Sequence, residues 1–297
     1  MKYAWIEAQR DSYPITLMCA LLEVSRSGLH AARVRHDSAR AQTDARLIKA
    51  IARQQGKHRG RYGRRRMSRE ISRVFARPIN IKRIGRLMRQ AGLQSRLRRR
   101  FRVITTDSRH AQPIAPNVLA RDFVATAPNQ KWLADLTYVP TAEGWLYLAL
   151  ILDLFSRKLV GWALSDAMAH DLTLAALWMA LGWRNPPDGL LHHSDRGVQY
   201  AAGGYRAVLA ARGITVSMSR TGDCWDNAPM ESVNGTVKVE CVHGVEFKTR
   251  AAAAHAIVAY LGYYNTERLH SSLGYLTPSE FEQRWRAAHE GQGTIVQ

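Results

Sequence analysis

Hydrophobic positions along this chain change their period near residue 130. Before that point they recur at helical spacing. Pro14 opens a segment whose apolar positions include Leu17, Met18, Leu21 and Leu22, and Ser25 is placed to cap a second segment that carries Arg26, Arg33 and Arg35. Together, residues 12–35 have the outline of two helices joined by a tight turn. A further helix is expected over about 43–55, followed by a basic loop from Gly56 to Gly63. Arg64 to Phe75 then reads as a helix with Met67, Ile71 and Val74 on one side. After Asn80, the segment Ile81 to Arg89 repeats Ile81, Ile84, Leu87 and Met88 at the same spacing, which leaves Lys82, Arg83, Arg86 and Arg89 for its other faces. Residues 105–129 lose the period and contain Pro113, Pro116 and Pro128, the pattern of a linker or extended arm.

From Gln130 the pattern becomes one of strands mixed with helices. Lys131–Pro140, Trp145–Phe155 and Arg157–Leu164 read as strands, with Ser156-Arg157 at a turn. Asp171–Trp183 is an apolar helix, Gly189–Ser194 a short buried strand, Tyr205–Arg212 a helix and Ile214–Met218 a fifth strand. Ser219 to Asn227 is a loop, and a helix starts near Asp226, which is placed to cap it, with Pro229 tolerated in the first turn. A last helix covers about 249–265 and leads into a basic tail.

Charge divides the chain at nearly the same place. Residues 1–110 hold 28 Lys+Arg against 7 Asp+Glu, whereas residues 111–297 hold 15 against 17, so the net +19 belongs to the helical half. An excess of that size over so short a stretch calls for a polyanion, and nucleic acid is the natural one. The expected contacts are Arg61, Arg64, Arg65, Arg66, Lys82, Arg83, Arg86 and the run Arg98, Arg99, Arg100. Three widely spaced cysteines, Cys19, Cys224 and Cys241, make neither a disulfide framework nor a zinc module and fit a reducing compartment. No secretory leader is visible at the N-terminus, and Trp145 to Phe155, the longest apolar stretch, is too short to span a bilayer.

The chemistry sits in the second half. Asp135 lies in a strand, Asp195 follows a short buried strand, and Glu231 lies in the early turns of a helix, 35 residues intervening between the last two. Three acidic side chains can hold two Mg²⁺ ions, with Mn²⁺ as a substitute, and such a pair activates an attacking oxygen and stabilises a leaving one at phosphorus. Lys238 follows Glu231 by seven residues, which puts both on one helix face. His192 and His193 precede Asp195, but imidazole suits Mg²⁺ poorly and a core position is expected for one of the two. Trp132 and Trp225 are expected as core or loop anchors, stacking on an unpaired DNA end being the alternative.

Several stretches carry a family resemblance. They are Asn129-Gln-Lys-Trp-Leu-Ala-Asp-Leu-Thr-Tyr138, Glu143-Gly-Trp-Leu-Tyr-Leu-Ala149, Asp153-Leu-Phe-Ser-Arg-Lys-Leu-Val-Gly-Trp162, His192-His-Ser-Asp-Arg-Gly-Val-Gln-Tyr200, Ser219-Arg-Thr-Gly-Asp-Cys-Trp-Asp-Asn-Ala228, Tyr264-Asn-Thr-Glu-Arg-Leu-His-Ser-Ser-Leu-Gly-Tyr275 and Thr277-Pro-Ser-Glu-Phe-Glu282. By these the chain resembles the second-frame transposases (OrfB) of the bacterial IS-three insertion-sequence family, whose catalytic core is shared with retroviral integrases. Ser232-Val233-Asn234-Gly235 departs from the family, which often has bulky aromatics after the glutamate.

The resemblance implies an α/β ribonuclease H-like mixed five-stranded sheet with flanking helices, preceded by an all-α basic region of helix-turn-helix type. It implies that Asp135, Asp195 and Glu231 are catalytic metal ligands and that Lys238 contacts the DNA end. It also implies double-stranded DNA partners (terminal inverted repeats and target), a homo-oligomer on DNA, and cleavage followed by joining of 3′-ends through a circular intermediate. A bacterial cytoplasmic, nucleoid-associated protein is expected, with an upstream-frame product or fusion as a further partner and no membrane. The boundaries expected are 1–40 for a helix-turn-helix-like region, 41–105 for a basic helical DNA-binding domain, 106–127 for a linker, 128–285 for the catalytic core with its C-terminal helix, and 286–297 for a tail. Two other classes stay open at this stage: a DNA-binding repressor, which would not need the acidic trio, and a stand-alone nuclease, which would not need the basic half.

Overall fold

Near-continuous apolar runs predict strands buried on both faces, and the second half of the chain builds such a sheet. In the computed structural model, which describes residues 2–34, 38–96, 112–168, 170–221 and 223–290, the strands are β1 (Lys131–Thr141), β2 (Gly144–Asp153), β3 (Leu159–Ser165), β4 (Leu191–Ser194) and β5 (Thr215–Met218). Their order is β3-β2-β1-β4-β5, so β1 is central. It pairs antiparallel with β2, Asp135 facing Leu150, and parallel with β4, Leu133 facing His193. β3 is antiparallel to β2 and β5 parallel to β4. The third strand begins at Leu159 rather than Arg157, because Arg157 takes a left-handed conformation (φ 58°) that ends the turn before the ladder starts.

The two-residue period of β2 sends Leu148, Leu150 and Leu152 to one face and Ala149 and Ile151 to the other. The first face meets α10 (Ala228–Val237) and α11 (Arg250–Thr266) through Met230, Val233, Ile257, Tyr260 and Leu261. The second meets α7 (His170–Arg184) through Leu172, Ala176, Leu177 and Ala180. Small residues let α7 approach closely: a Cβ on Gly161 would fall 2.3 Å from the Ala176 carbonyl oxygen. Two shorter helices, α8 (Val198–Ala201) and α9 (Gly203–Ala211), bring Tyr200, Tyr205 and Leu209 to the same layer.

The basic half is helical, as its period predicts. α1 (Lys2–Ala8), not foreseen in the sequence, packs with α2 (Ile15–Leu21) and α3 (Arg26–Val34) around Ile6, Met18, Cys19 and Leu29. Ser25 Oγ accepts from the Gly28 N–H at 3.0 Å, the expected cap of α3. A second unit consists of α4 (Ala39–Lys57), α5 (Arg64–Val74) and α6 (Ile81–Gln90) around Leu47, Ile51, Met67, Ile71, Ile84 and Leu87. α4 runs through Gly56, one glycine costing only about 1 kcal/mol inside a helix, so the expected basic loop is shortened from its N-terminal side. Asn80 Oδ1 caps α6 by accepting from the Lys82 N–H at 2.7 Å.

Within the stretch expected as a linker, residues 112–127 lie against the sheet domain. Ser217 Oγ accepts from the Val118 and Leu119 N–H groups at 2.9 and 3.0 Å, and Leu119 is buried among the leucines of β2. At the other end, α12 (Pro278–Glu290) continues past residue 285 into the expected tail. Arg98, Arg99 and Arg100 lie outside the described residues. Among the described residues, no helix is long and apolar enough to cross a membrane.

Candidate active site and nucleic-acid surface

Asp135 projects from the middle of the central strand. Its Oδ1 accepts from the Leu136 N–H and its Oδ2 from the Asn234 side-chain amide, both at 2.8 Å. Asp195 follows the end of β4, the parallel neighbour of β1, and its Oδ1 accepts from the Gly197 N–H at 2.9 Å. Glu231 occupies the first turn of α10 and is exposed. Burial pushes the Asp135 carboxyl up to about 8, and the charges of Asp195 and Glu231 add to the effect. The structure therefore brings the three sequence-predicted carboxylates into one electrostatic neighbourhood.

Neighbouring side chains frame that neighbourhood. Asn234, one turn beyond Glu231, is buried and couples α10 to the Asp135 carboxylate. In the sequence it is marked only as part of the stretch that departs from the family; its place one turn from Glu231 on the same helix face is the signal that could have found it. Tyr200 is also buried, and its hydroxyl has no hydrogen-bond partner among the described residues. Burial raises its pKa, and the charges of Tyr205, Asp135 and Asp195 raise it further. Lys238 stands with Nζ 5.0 Å from the Tyr138 ring centroid. Burial lowers its pKa while the Asp135 charge opposes that shift, so the ammonium lies within electrostatic reach of that carboxylate.

Asp226 does not cap α10. Asn227 holds the cap position, but its side chain accepts no capping bond from the helix; its amide donates to the Ala134 carbonyl at 3.2 Å. The Asp226 carboxylate is buried and accepts from Arg220 at 2.8–3.0 Å, from Arg121 at 2.9 Å and from Asn117 at 2.8 Å. Arg220 holds its pKa well below the usual carboxylate range. It thus braces the loop between the Asp195 strand and the Glu231 helix.

The two histidines before Asp195 are core residues. His192 Nε2 is 2.9 Å from the Tyr205 hydroxyl, and His193 lies between Ser217 Oγ at 2.8 Å and Ser219 Oγ at 3.1 Å. Trp132 is fully buried and Trp225 is 67% exposed. Among the described residues, no three His, Cys, Asp or Glu side chains converge tightly enough to hold a single ion as they stand. The donor set is nonetheless all carboxylate oxygen around crowded negative charge, which suits Mg²⁺ or Mn²⁺ and leaves positions for water and phosphate oxygens.

The expected basic contacts separate into two groups. Arg64, Arg65 and Lys82 are exposed, and Arg64, Lys82 and Arg89 line a groove of about 690 Å³ where α5 meets α6. Arg83 and Arg86 border an adjoining hollow with Arg40, though both also pair with Asp44. Arg61, in contrast, lies inside the protein. Its Nε donates to the Glu240 carbonyl at 3.0 Å, and its guanidinium stacks over Tyr260 and Tyr263. Arg66 also turns inward, with Nη1 3.3 Å from the Glu240 carboxylate. The sequence marked both as basic but did not show that an acid and two tyrosines some 175–200 residues away would claim them.

The Integrase core domain family matches residues 125–224, a second Integrase core domain family matches 212–278, and an HTH-like domain family matches 41–101. The chain is 43% identical over 269 residues to an uncharacterized 31 kDa protein of insertion element IS600 from Shigella sonnei, covering 90% of this chain and 98% of that one. It is 38% identical over 291 residues to transposase InsF of insertion sequence IS3A from Escherichia coli (strain K12), covering 96% and 99%. Among solved structures, the catalytic core domain of HTLV-2 integrase in complex with magnesium matches at 16% identity and a TM-score of 0.42, covering 54% of this chain and 99% of that one.

Proposed function

The chain belongs to the insertion-sequence transposases that carry an integrase core, and from that premise we propose that it cuts DNA at the ends of its element and joins the freed 3′-hydroxyls to new DNA. The observation that carries the proposal is the shared electrostatic neighbourhood of Asp135, Asp195 and Glu231, drawn from the central strand, its parallel neighbour and a helix laid across them. Asp135, Asp195 and Glu231 are the residues that would hold two Mg²⁺ ions. When bound, such ions supply Lewis-acid activation of the attacking oxygen and neutralise charge on the leaving one.

The chain's own side chains do the positioning. Asn234 and the Leu136 N–H fix the orientation of the Asp135 carboxylate, and the Gly197 N–H fixes that of Asp195. Lys238 offers a cation to a phosphate of the DNA end beside Asp135. Arg64, Arg65, Lys82 and Arg86 grip duplex DNA along α5 and α6, a term that weakens as salt rises. The protein acts as a homo-oligomer, because two element ends must meet, and works on the bacterial nucleoid with or without an upstream-frame partner.

The test is strand transfer by the purified chain on a duplex ending in the element's terminal repeat. Asp135→Asn, Asp195→Asn and Glu231→Gln should each reduce joining below detection and keep DNA affinity within about twofold of wild type, since removing one carboxylate charge leaves the basic groove intact. Chelation of divalent metal should abolish joining, and Mn²⁺ should restore it. Efficient joining by any of the three variants would refute the assignment.

A further inference from the structure

A second charged feature lies around the side of α10 from the carboxylates. Between α10, the 264–272 segment and the turn before β3 is a cavity of about 380 Å³ whose lining includes Arg66, Arg157, Arg268, Ser232, Thr236 and Ser272. Three guanidinium groups reach it, and no acidic residue is among the described residues that line it. Glu240 stands behind two of them, accepting from Arg268 at 2.8 and 2.9 Å and from Arg66 at 3.3 Å. Arg157 is different. It is half-buried, held by a left-handed backbone at the turn, and has no hydrogen bond or ion pair among the described residues. His270, which also lines the cavity, is kept neutral by burial and by Arg268 and so does not change the balance.

Buried cations without close partners are costly; Glu240 bonds only Arg66 and Arg268, and Asp153 acts on Arg157 through its charge without a hydrogen bond, so the cavity is left in want of an anion. The guanidinium fork matches phosphate oxygens, and the hydroxyls of Ser232, Thr236 and Ser272 supply further donors. Position is the other constraint. Glu231, Asn234 and Lys238 share one face of the α10 segment, and Ser232 and Thr236 lie about two-fifths of a turn away. A helix is about 10–12 Å across with its side chains, close to three phosphates of one strand at about 3.4 Å per charge.

We propose that this cavity binds one backbone phosphate of the DNA strand that enters the active site, a few nucleotides from the reacting bond, with Arg157 as its principal ligand. This rests on the strand-transfer reading above. It makes the join between the helical half and the sheet part of the DNA-binding surface, because Arg66 comes from α5 and Arg157 from the sheet domain.

The experiment compares wild type with Arg157→Gln, which removes no structural pairing, and with Ser272→Asp, which puts a negative charge on an exposed lining position. Affinity for a fluorescent duplex is measured against salt concentration, and thermal stability against inorganic phosphate. One lost phosphate contact should lower the slope of log affinity against log salt by about 0.9, and Ser272→Asp should weaken binding in the same direction. Glu231→Gln should leave the slope unchanged. An unchanged slope for Arg157→Gln would overturn the proposal. If phosphate then stabilised wild type but not Arg157→Gln, the cavity would be a free-anion site and no part of the DNA path. The strand-transfer assay judges the other reading separately: loss of joining in Glu231→Gln beside an unchanged slope in Arg157→Gln would sink the cavity alone.

Discussion

Gly197 stands two residues past Asp195 for a steric reason. A Cβ there would lie 3.0 Å from Asp195 Oδ1 and 2.9 Å from Gln199 Oε1, although its backbone (φ −61°, ψ 141°) suits any residue. Gly197→Ala should therefore leave the fold intact and move the carboxylate. Strand transfer should fall on the order of 10- to 100-fold with the melting temperature nearly unchanged, because sub-ångström misplacement of a reacting group is costly. Full activity would show that Asp195 has more room than the geometry gives it. At this scale the acidic trio was legible because each member sits in a distinctive motif. Arg157 and Glu240 were not, since Glu240 depends on partners 28 and 174 residues away and Arg157 on the lack of a hydrogen bond among the described residues.

Elements were legible where the apolar period was strong, and even β4, which carries two histidines, was legible as a strand, two residues too long at its start. β4 is only four residues long, yet it buries His192 towards α9 and His193 between Ser217 of the neighbouring strand β5 and Ser219 just after it. Burial pulls His192 down to about 3 and His193 to about 4, and His270 falls to about 2. Each has a folded pKa below its unfolded 6.5, so the unfolded chain binds more protons as pH falls. Their stability is fully present above about pH 6.5 and is lost towards the folded values. Asp135 runs the other way, since its raised carboxyl is relieved of strain as pH drops below about 8. Removing that opposing group exposes the histidines. Asp135→Asn should lose about 2 kcal/mol per histidine between about pH 7.5 and pH 5, and metal-free wild type should lose less. Urea midpoints at the two pH values decide it, and equal losses in both proteins would contradict the assignment of Asp135.

On the scale of the whole molecule, the basic half and the sheet are joined by polar contacts that the sequence could not pair. His58 Nδ1 lies 3.0 Å from the Tyr263 hydroxyl, Tyr62 donates to the Glu267 carbonyl and accepts from the Leu269 N–H, and Arg73 pairs with Glu280. Glu240 is the hub. Burial pushes its carboxyl up, but Arg268 and Arg66 together hold it below its ordinary range. Glu240→Gln keeps the shape and removes the charge, which leaves buried arginines uncompensated at about 3–5 kcal/mol. Calorimetry should show the single transition of wild type become two, the helical half melting first; one transition at the wild-type temperature would mean that the hub is not what couples the halves. Leu269 sits fully buried in the helical unit's own core, so the sheet domain has a side chain inside its neighbour. For DNA gripped along α5 and α6, that plug turns the protein into a ruler. The distance and helical phase from the bases held in the groove to the bond at the carboxylates are set by the join itself, so half a turn of spacer inserted into an element end would present the wrong side of the duplex to an otherwise intact enzyme.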